Sequence, residues 1–569
     1  MAVEKIWKFK RANDTSVQSL HESLGINKTL CQILVHRGID SFDKAKQYFR
    51  PSINDLHDPF LMKGMDKAIQ RITNARDNHE KIMIYGDYDV DGTTSVAIVY
   101  HFLKNHYCPS NIALTDLLTY YIPHRYNEGY GVSFKGIDEA AALGCTLIIT
   151  LDCGTKAIDK IAYAKSLGID VIVCDHHTPS QELPPAYALL NPKQKECEYP
   201  FKELSACGIG YKLISALATS WNLPAQCVHM YLDLVATSIA ADIVPIVGEN
   251  RVLAFCGLEI VNSSPCYALQ ALKKLSNYNK ILTISDLVFI ISPRINAAGR
   301  MDDAKKAVAL FLSESLDEAE EIASILQLDN DERREIDKTM TAEALDILES
   351  DIYRKRKSTV LFKNDWHKGV VGIVASRIID HYYKPTIVLT ASHGKATGSA
   401  RSVVGFNIHD AIQECAELLD SFGGHFFAAG MTMPIDNVAA FIEKFEKVVA
   451  NSIQEDSLLP IIEIDAIIKL QEINFKFYNI IKQMQPFGPE NMKPIFCIQK
   501  VKNRNSKIVK DTHIKFDIVQ EGKVLSGIGF NMSKKFHILN NATFDLICTI
   551  EENEWQGNTT LQLRVLDIK

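Results

Sequence analysis

The sequence predicts an α/β protein: two α/β domains, a long helix between them, and a terminal β-domain. Three observations predict it. From residue 81 to about 190, apolar runs such as "KIMIYG", "TLIITLD" and "IDVIVCD" alternate with helical segments such as "TTSVAIVYHFLK" and "AIDKIAYAKSLG". Such alternation is the pattern of a parallel sheet with crossover helices. The stretch 315–350, "SLDEAEEIASILQLDNDERREIDKTMTAEALDILES", holds no Pro or Gly and is heavily charged, as expected of one long solvated helix. A second α/β alternation opens at "STVLFKND", and from about 458 the chain turns to strands separated by turns.

Taken in order, residues 1–75 form a polar, helical preface, and 76–312 form the first α/β domain, mostly helical beyond 205. Residues 313–352 are the connecting helix. Residues 353–455 are the second α/β domain, with "GVVGIVASRIIDHY", "PTIVL", "ATGSARS" and "GGHFFAAGMTM" before a helix near 436–452. Residues 456–569 are the β-domain, for which a closed barrel is the economical arrangement.

Composition bounds the function. The 569 residues include 62 Lys+Arg and 69 Asp+Glu, a net charge of -7 that would argue against a polyanion partner. Residues 493–569, however, carry 12 basic and 8 acidic side chains, so the C-terminal end is the basic one. The 13 cysteines include no C-x-x-C pair, which excludes a zinc ribbon and favours free thiols in a reducing compartment. The N-terminus lacks an apolar signal core, and no run approaches the ~18 apolar residues of a membrane span. A soluble, cytoplasmic protein is expected.

The chemistry is concentrated at strand ends. In an open α/β sheet, ligands bind beyond the carboxyl ends of the strands. The first strand ends in Asp87, Asp89 and Asp91, the second in Asp152, the third in Asp175, His176 and His177, and Asp242 follows an apolar helix. Taken singly, each has a plainer explanation. D-x-D-x-D occurs in calcium loops and capped turns, "DHH" could be a cap and a core histidine, and Asp152 could be an N-cap. The EF-hand explanation fails for want of the bidentate Glu. Asp242 in an apolar run needs a partner. Together they deliver oxygen donors with a minority of imidazole to one rim, a set that suits Mn²⁺ or Mg²⁺. Bridging carboxylates can hold two such ions about 3.5–4 Å apart for phosphoryl displacement.

"GDYDVDG", "LDCG", "CDHH" and "AADIVP" resemble the four motifs of the DHH phosphoesterase superfamily. "GSARS" and "GGHFFAAG" resemble the phosphate-gripping motifs of the domain usually linked to it. "YYIPHRYNEGYG", "PRINAAGRM" and "PFGPENMKPIF" resemble its branch of bacterial single-stranded-DNA exonucleases. The resemblance implies two α/β domains, joined by the long helix around a cleft, and an OB-type barrel. It implies hydrolysis from the 5′ end to mononucleotides in DNA recombination and repair, with two divalent ions, Mn²⁺ or Mg²⁺. Its expected partners are single-stranded DNA, a single-strand-binding protein and a helicase, acting on a monomer.

Residue by residue, it implies Asp152 as the carboxylate bridging both ions. Asp91, His176 and Asp242 would complete one ion, with Asp89 and Asp87 at the other. Related manganese pyrophosphatases place a histidine four residues before their D-x-D, and here Tyr85 stands there, so Asp87 is taken as a substitute ligand or its neighbour. His177 would act on the substrate or orient a ligand; both roles stay open. Ser399, Arg401, Ser402, Gly423, Gly424 and His425 would grip phosphate. Arg294, Asn296 and Arg300 would contact the strand, and Arg125 would be another such contact or a structural ion pair. Tyr121, Tyr126 and Tyr130 offer stacking faces, though aromatics so spaced commonly belong to a core. A phosphodiesterase for dinucleotides, or a non-catalytic scaffold, are the competing functions.

Overall fold

A computed structural model describes residues 4–107, 112–301 and 303–569. The chain forms two compact units: one from the N-terminal segment through Ala45, Glu332–Gln483 and Lys493–Lys569, the other from Lys46–Asp331 and Met484–Met492.

The second of these holds a five-stranded parallel sheet in the order Leu118–Tyr121, Ile82–Tyr85, Leu147–Leu151, Asp170–Cys174, Ala188–Leu190. The three central strands are nearly continuous apolar runs, broken only by Thr150 and by Asp170 at a strand start, because helices cover both faces of the sheet. Ile82–Tyr85, the first of these strands in chain order, has neighbours on both sides. The connections therefore reverse direction at its carboxyl end, the switch point where such sheets bind ligands. Helices Val90–His106, Ala206–Ser220 and Leu232–Ala241 pack on one another beside it.

The segment Met484–Met492 belongs to this unit because Arg251 holds it. The buried Arg251 guanidinium lies 3.9 Å from the centre of the Tyr48 ring and donates to the carbonyls of Met484, Gln485 and Pro486. The Asn491 side chain donates to Met484 and Pro486 carbonyls and accepts from the Tyr48 hydroxyl.

The other unit contains a mixed five-stranded sheet, ordered Ser421–Gly424, Ala428–Pro434, Lys395–Arg401, Thr386–Ser392, Thr359–Lys363. Only its last pair is parallel. The barrel is built from Phe496–Val509, His513–Gln520, Lys523–Gly529, Asn558–Ile568 and Phe544–Trp555, the last pairing back onto the first to close it. The N-terminal segment is more than helical. Its strand Ile6–Phe9 pairs in parallel with Ile461–Ile464, and Trp7 Nε1 donates to Asp567 at 2.9 Å.

The long helix runs from Leu316 to Leu348, 33 residues, or about 50 Å at 1.5 Å per residue. Its Asp337 is buried and accepts three hydrogen bonds from Arg377, at 2.8, 3.0 and 2.7 Å.

Candidate metal centre

The centre forms where the Ile82–Tyr85 strand gives way to the Val90–His106 helix. Asp89 is that helix's N-cap and accepts from the Gly92 N–H at 3.1 Å. Asp91, in the first turn, is aimed at the amino end of another helix, Ala206–Ser220. Its carboxylate accepts from the N–H groups of Ala206 and Cys207, both at 2.8 Å, and from the Ser238 hydroxyl at 2.6 Å. Two helix amino ends thus offset two of the three charges. A carboxylate has about four lone-pair sites, so Asp91 keeps capacity for a further ligand.

Asp87 has no such support. It is buried, its Oδ1 has only a 3.4 Å contact from the Gly131 N–H, and its Oδ2 has no partner. Tyr85, at the position a histidine occupies in the pyrophosphatases, points into the apolar cluster under the sheet, where its hydroxyl meets the Gly131 carbonyl.

Asp152 follows the Leu147–Leu151 strand in a left-handed backbone conformation, φ 63°, with its N–H donated to Cys174 O at 3.0 Å. A non-glycine residue held there marks a position the fold over-determines, as occurs at functional sites. Asp242 caps the carboxyl end of the Leu232–Ala241 helix, and Ile243, also left-handed at φ 58°, turns the chain away.

His176 Nε2 lies among the carboxylates: 3.3 Å from Asp152, 3.6 Å from Asp242 and 3.9 Å from Asp91. His177 turns differently. Its Nδ1 sits 2.7 Å from Asp175 Oδ1, while Asp175 Oδ2 accepts from the Thr155 N–H. Asp175 is thereby used up holding the loop and the imidazole. Asn191 adds a hydrogen bond to the His177 carbonyl at 2.8 Å.

The electrostatics show an unbalanced pocket. Burial, and then the neighbouring carboxylates, push Asp87, Asp152 and Asp242 well above the usual carboxylate range, and raise Asp89 too. Burial lowers His176 towards the neutral, ligand-competent imidazole. Burial opposes charge on His177, but the hydrogen bond to Asp175 and the charges of Asp175, Asp91 and Asp89 together outweigh it and raise its pKa.

Three overlapping donor groups bring their atoms within 4.8 Å of one another: Asp87, Asp89 and Asp152; Asp91, His176 and Asp242; and Asp152, His176 and His177. Asp152 is common to two of them. An orphaned buried Asp87 oxygen, carboxylates strained by mutual repulsion and an oxygen-rich donor set fit a divalent cation.

The other candidate residues fall into two sets. Near the centre, the Arg125 guanidinium lies 4.4 Å from the Tyr88 ring centre, and Asn296 Oδ1 accepts from the Val90 N–H, steadying the turn that carries the aspartates. Arg294 donates to Gln327 at 2.7 Å and to the Ile290 carbonyl, and the Arg300 carbonyl accepts from the Tyr126 hydroxyl. Tyr121 is a core residue stacked on Tyr85, whereas the Tyr130 ring is exposed.

In the other unit, Arg401 Nη1 donates to Ser399 Oγ and the Ala400 carbonyl, and Ser402 Oγ donates to Phe406 O. Burial lowers the Arg401 pKa, and among the described residues no carboxylate pairs with it. Gly372 makes room for it: a Cβ there would lie 3.0 Å from Arg401 Nη2. Gly424, at φ 151°, forms the tight hairpin end, and the His425 N–H donates to Ala428 O.

Tyr130, which the sequence offered only as a stacking face, donates to the Asp152 carbonyl at 2.8 Å and lies 3.1 Å from His177 Nε2. Sequence reasoning missed other residues of the centre. Ser238, Thr155 and Asn191 gave no local signal. Ser205, the N-cap of the helix that receives Asp91, was legible as a cap in "ELSACGIG".

The fold and the centre define a metal-dependent phosphoesterase. The family described as DHH family, N-terminal domain, matches residues 81–239, the DHHA1 domain matches 355–451, and the RecJ OB domain matches 464–567. A Bacillus subtilis protein named single-stranded-DNA-specific exonuclease RecJ is 36% identical over 573 residues, spanning 100% of this chain and 71% of that protein. Its namesake in Escherichia coli is 33% identical over 562 residues, 95% of each. The crystal structure of RecJ in complex with Mn²⁺ from Thermus thermophilus shares the fold, with a TM-score of 0.86 at 24% identity over 100% of this chain and 80% of that one. A structure of exonuclease RecJ bound to manganese is 31% identical, with a TM-score of 0.59 over 69% of this chain and 96% of that one. The chain belongs to the RecJ family.

Proposed function

We propose that this chain is a single-stranded-DNA-specific exonuclease that works from the 5′ end and releases mononucleotides, in DNA recombination and repair. The observation that carries the reading is the convergence of five carboxylates and His176 at the switch point of the sheet, in a family whose named members are single-stranded-DNA-specific exonucleases. We assign two divalent ions, Mn²⁺ or Mg²⁺, to Asp87, Asp89 and Asp152 on one side and Asp91, His176 and Asp242 on the other, with Asp152 shared. Bound cations supply charge neutralisation at the scissile phosphate and a water of lowered pKa.

The chain's own residues do the remaining work. Asp175 fixes the His177 imidazole through Nδ1, and Nε2, which also lies 3.1 Å from the Tyr130 hydroxyl, is the nitrogen that meets the substrate. There it can hydrogen-bond a phosphate oxygen or give a proton to the departing oxygen. Arg401, with Ser399, Ser402, Gly423, Gly424 and His425, grips a terminal phosphate, and the absence of a paired carboxylate among the described residues leaves the guanidinium's charge available. Arg125, Arg294 and Arg300 guide the strand. The division of labour follows spans 76–312 for chemistry, 353–455 for grip and 456–569 for strand binding, with 1–75 and 313–352 as preface and connector.

A single-strand-binding protein and a helicase are the partners this activity calls for, acting on a cytoplasmic monomer. No single helix among the described residues is long and apolar enough to cross a membrane. The test is hydrolysis of 5′- and 3′-labelled single-stranded DNA, duplex DNA and RNA with Mn²⁺, Mg²⁺ or EDTA. Metal-dependent release of the 5′ label as mononucleotide from single strands is expected. Cleavage confined to dinucleotides, or hydrolysis in EDTA, overturns the reading.

A further inference from the structure

The hairpin turn that follows Gly424 carries two phenylalanines whose placement the phosphate grip alone does not explain. Phe426 and Phe427 are 40% and 54% exposed, and their rings meet edge to face with centroids 4.7 Å apart. Neither belongs to the apolar core of its domain, which is closed by Phe406, Phe441, Phe445 and their neighbours.

The backbone beneath them is fixed. The Ile408 N–H donates to Phe426 O at 3.1 Å, the Ser402 N–H to Phe427 O at 2.9 Å, and the His425 N–H to Ala428 O at 2.8 Å. Gly424 closes the turn so tightly that a Cβ there would lie 2.4 Å from Ala428 O. Two large apolar rings are therefore presented to solvent on a rigid support, an arrangement that avoids ordering costs on binding.

Their location says what they would bind. In the ladder, Ala428 is paired with Arg401 and Gly430 with Ser399. The aromatic turn thus begins one residue from the rung of Arg401, and on the strand that follows it the residues paired with Arg401 and Ser399 are small. A nucleotide whose phosphate is taken by Arg401 carries its base on the same length scale. Phenylalanine has no polar handle, so it recognises the face of a base and not its edge. That suits an enzyme that must accept every sequence.

We propose that Phe426 and Phe427 form a base-stacking platform for the single strand beside the phosphate held at Arg401. The proposal rests on the nuclease function proposed above. It makes the turn a determinant of affinity for unpaired bases, since a base in a duplex has no free face to offer.

The test uses the full-length protein in an Asp152→Asn background with Mn²⁺, so that binding is measured without turnover. The probes are a 5′-phosphorylated thymidine 12-mer and the same strand with abasic sites moved along it. Stacking is worth about 1–3 kcal/mol per base, so F426A and F427A should each weaken binding of the 12-mer about fivefold or more. F427Y should restore it, and F427L, which keeps bulk without a ring, should not. On the strand whose abasic sites coincide with the platform, wild type should already be weakened and the alanine variants should lose nothing further.

Unchanged affinity of the alanine variants for the 12-mer, or equal losses on normal and abasic strands, overturns the platform, with the rings left as a protein-docking surface. Thermal melts, with F427L against F427Y, separate a folding defect from a lost ring. Failure of the underlying function is a different result: native protein that does not hydrolyse single-stranded DNA at all.

Discussion

Asp152→Asn tests the centre most directly, because it should move stability and activity in opposite directions. The substitution removes one charge and keeps the shape, and asparagine tolerates the left-handed backbone that Asp152 adopts at φ 63°. Asp152 shares a donor group with Asp87 and Asp89 whose atoms lie within 4.8 Å of one another. Two unit charges at that separation repel by about 3.5 kcal/mol at an effective dielectric constant of ~20. Burial and the neighbouring carboxylates already raise the Asp152 pKa, so part of that repulsion is relieved by protonation in the metal-free protein. The remaining gain is about 1–3 kcal/mol, which raises the metal-free melting temperature by at least ~2 °C for a unit of this size. With metal, a buried charge loses its partner, a change that typically costs 3–5 kcal/mol, or roughly 10²–10³-fold and more in activity. Melts in EDTA and in Mn²⁺, beside hydrolysis of end-labelled single strands over a Mn²⁺ titration, read both effects. Near-normal turnover at saturating Mn²⁺, or a metal-free melt below that of the native protein, would refute the reasoning.

The same repulsion predicts a pH dependence. Asp87, Asp152 and Asp242 have folded-state pKa values raised by burial and then by neighbouring carboxylates. The folded state therefore holds these protons more tightly than the unfolded state, so their stabilising share is present below the ordinary carboxylate pKa and is lost as pH rises through the raised values. Metal-free melts should fall as pH rises above the ordinary carboxylate pKa of about 4, and Mn²⁺ should restore more stability at the higher pH; a metal effect independent of pH would contradict this. Arg401→Ala should weaken binding of 5′-phosphorylated single strands about tenfold or more, since charged hydrogen bonds contribute roughly 1.5–3 kcal/mol. Mn²⁺ affinity measured by titration should stay as in the native protein, and unchanged DNA affinity would remove Arg401 from the grip.

The parts legible in the sequence are those written in contiguous residues. The parallel sheet follows from apolar runs alternating with helices, and the carboxylates follow from strand ends, because the sheet itself carries Asp87, Asp152 and Asp175 to one edge. The barrel follows from strands separated by turns. The parts not legible depend on contacts between distant segments. Strand Ile6–Phe9 finds its partner at Ile461–Ile464, about 455 residues away, and nothing in four residues without alternation names that partner. Arg251 looks like any helical arginine until Met484–Pro486 arrives to accept its hydrogen bonds. Tyr130 was visible as one of three tyrosines, but only folding separates it from Tyr121, which is buried, and sets its hydroxyl between Asp152 and His177.

The helix ends explain why three aspartates can alternate at Asp87, Asp89 and Asp91 without unfolding the turn that carries them. Asp89 caps its own helix, and Asp91 reaches the amino end of another, where two N–H groups and Ser238 receive it. Each such end supplies roughly half a positive charge, so these carboxylates are offset by the fold itself. Asp87, Asp152 and Asp242 receive no comparable support, and they carry the largest upward pressure on their pKa values. The protein thus compensates part of the negative charge at the centre, at Asp89 and Asp91, and leaves the rest, on Asp87, Asp152 and Asp242, for a cation to satisfy. An apolar or fully compensated pocket would be more stable and would have no use for a cation. The instability left at this edge of the sheet is the part of the fold that makes binding a divalent ion favourable.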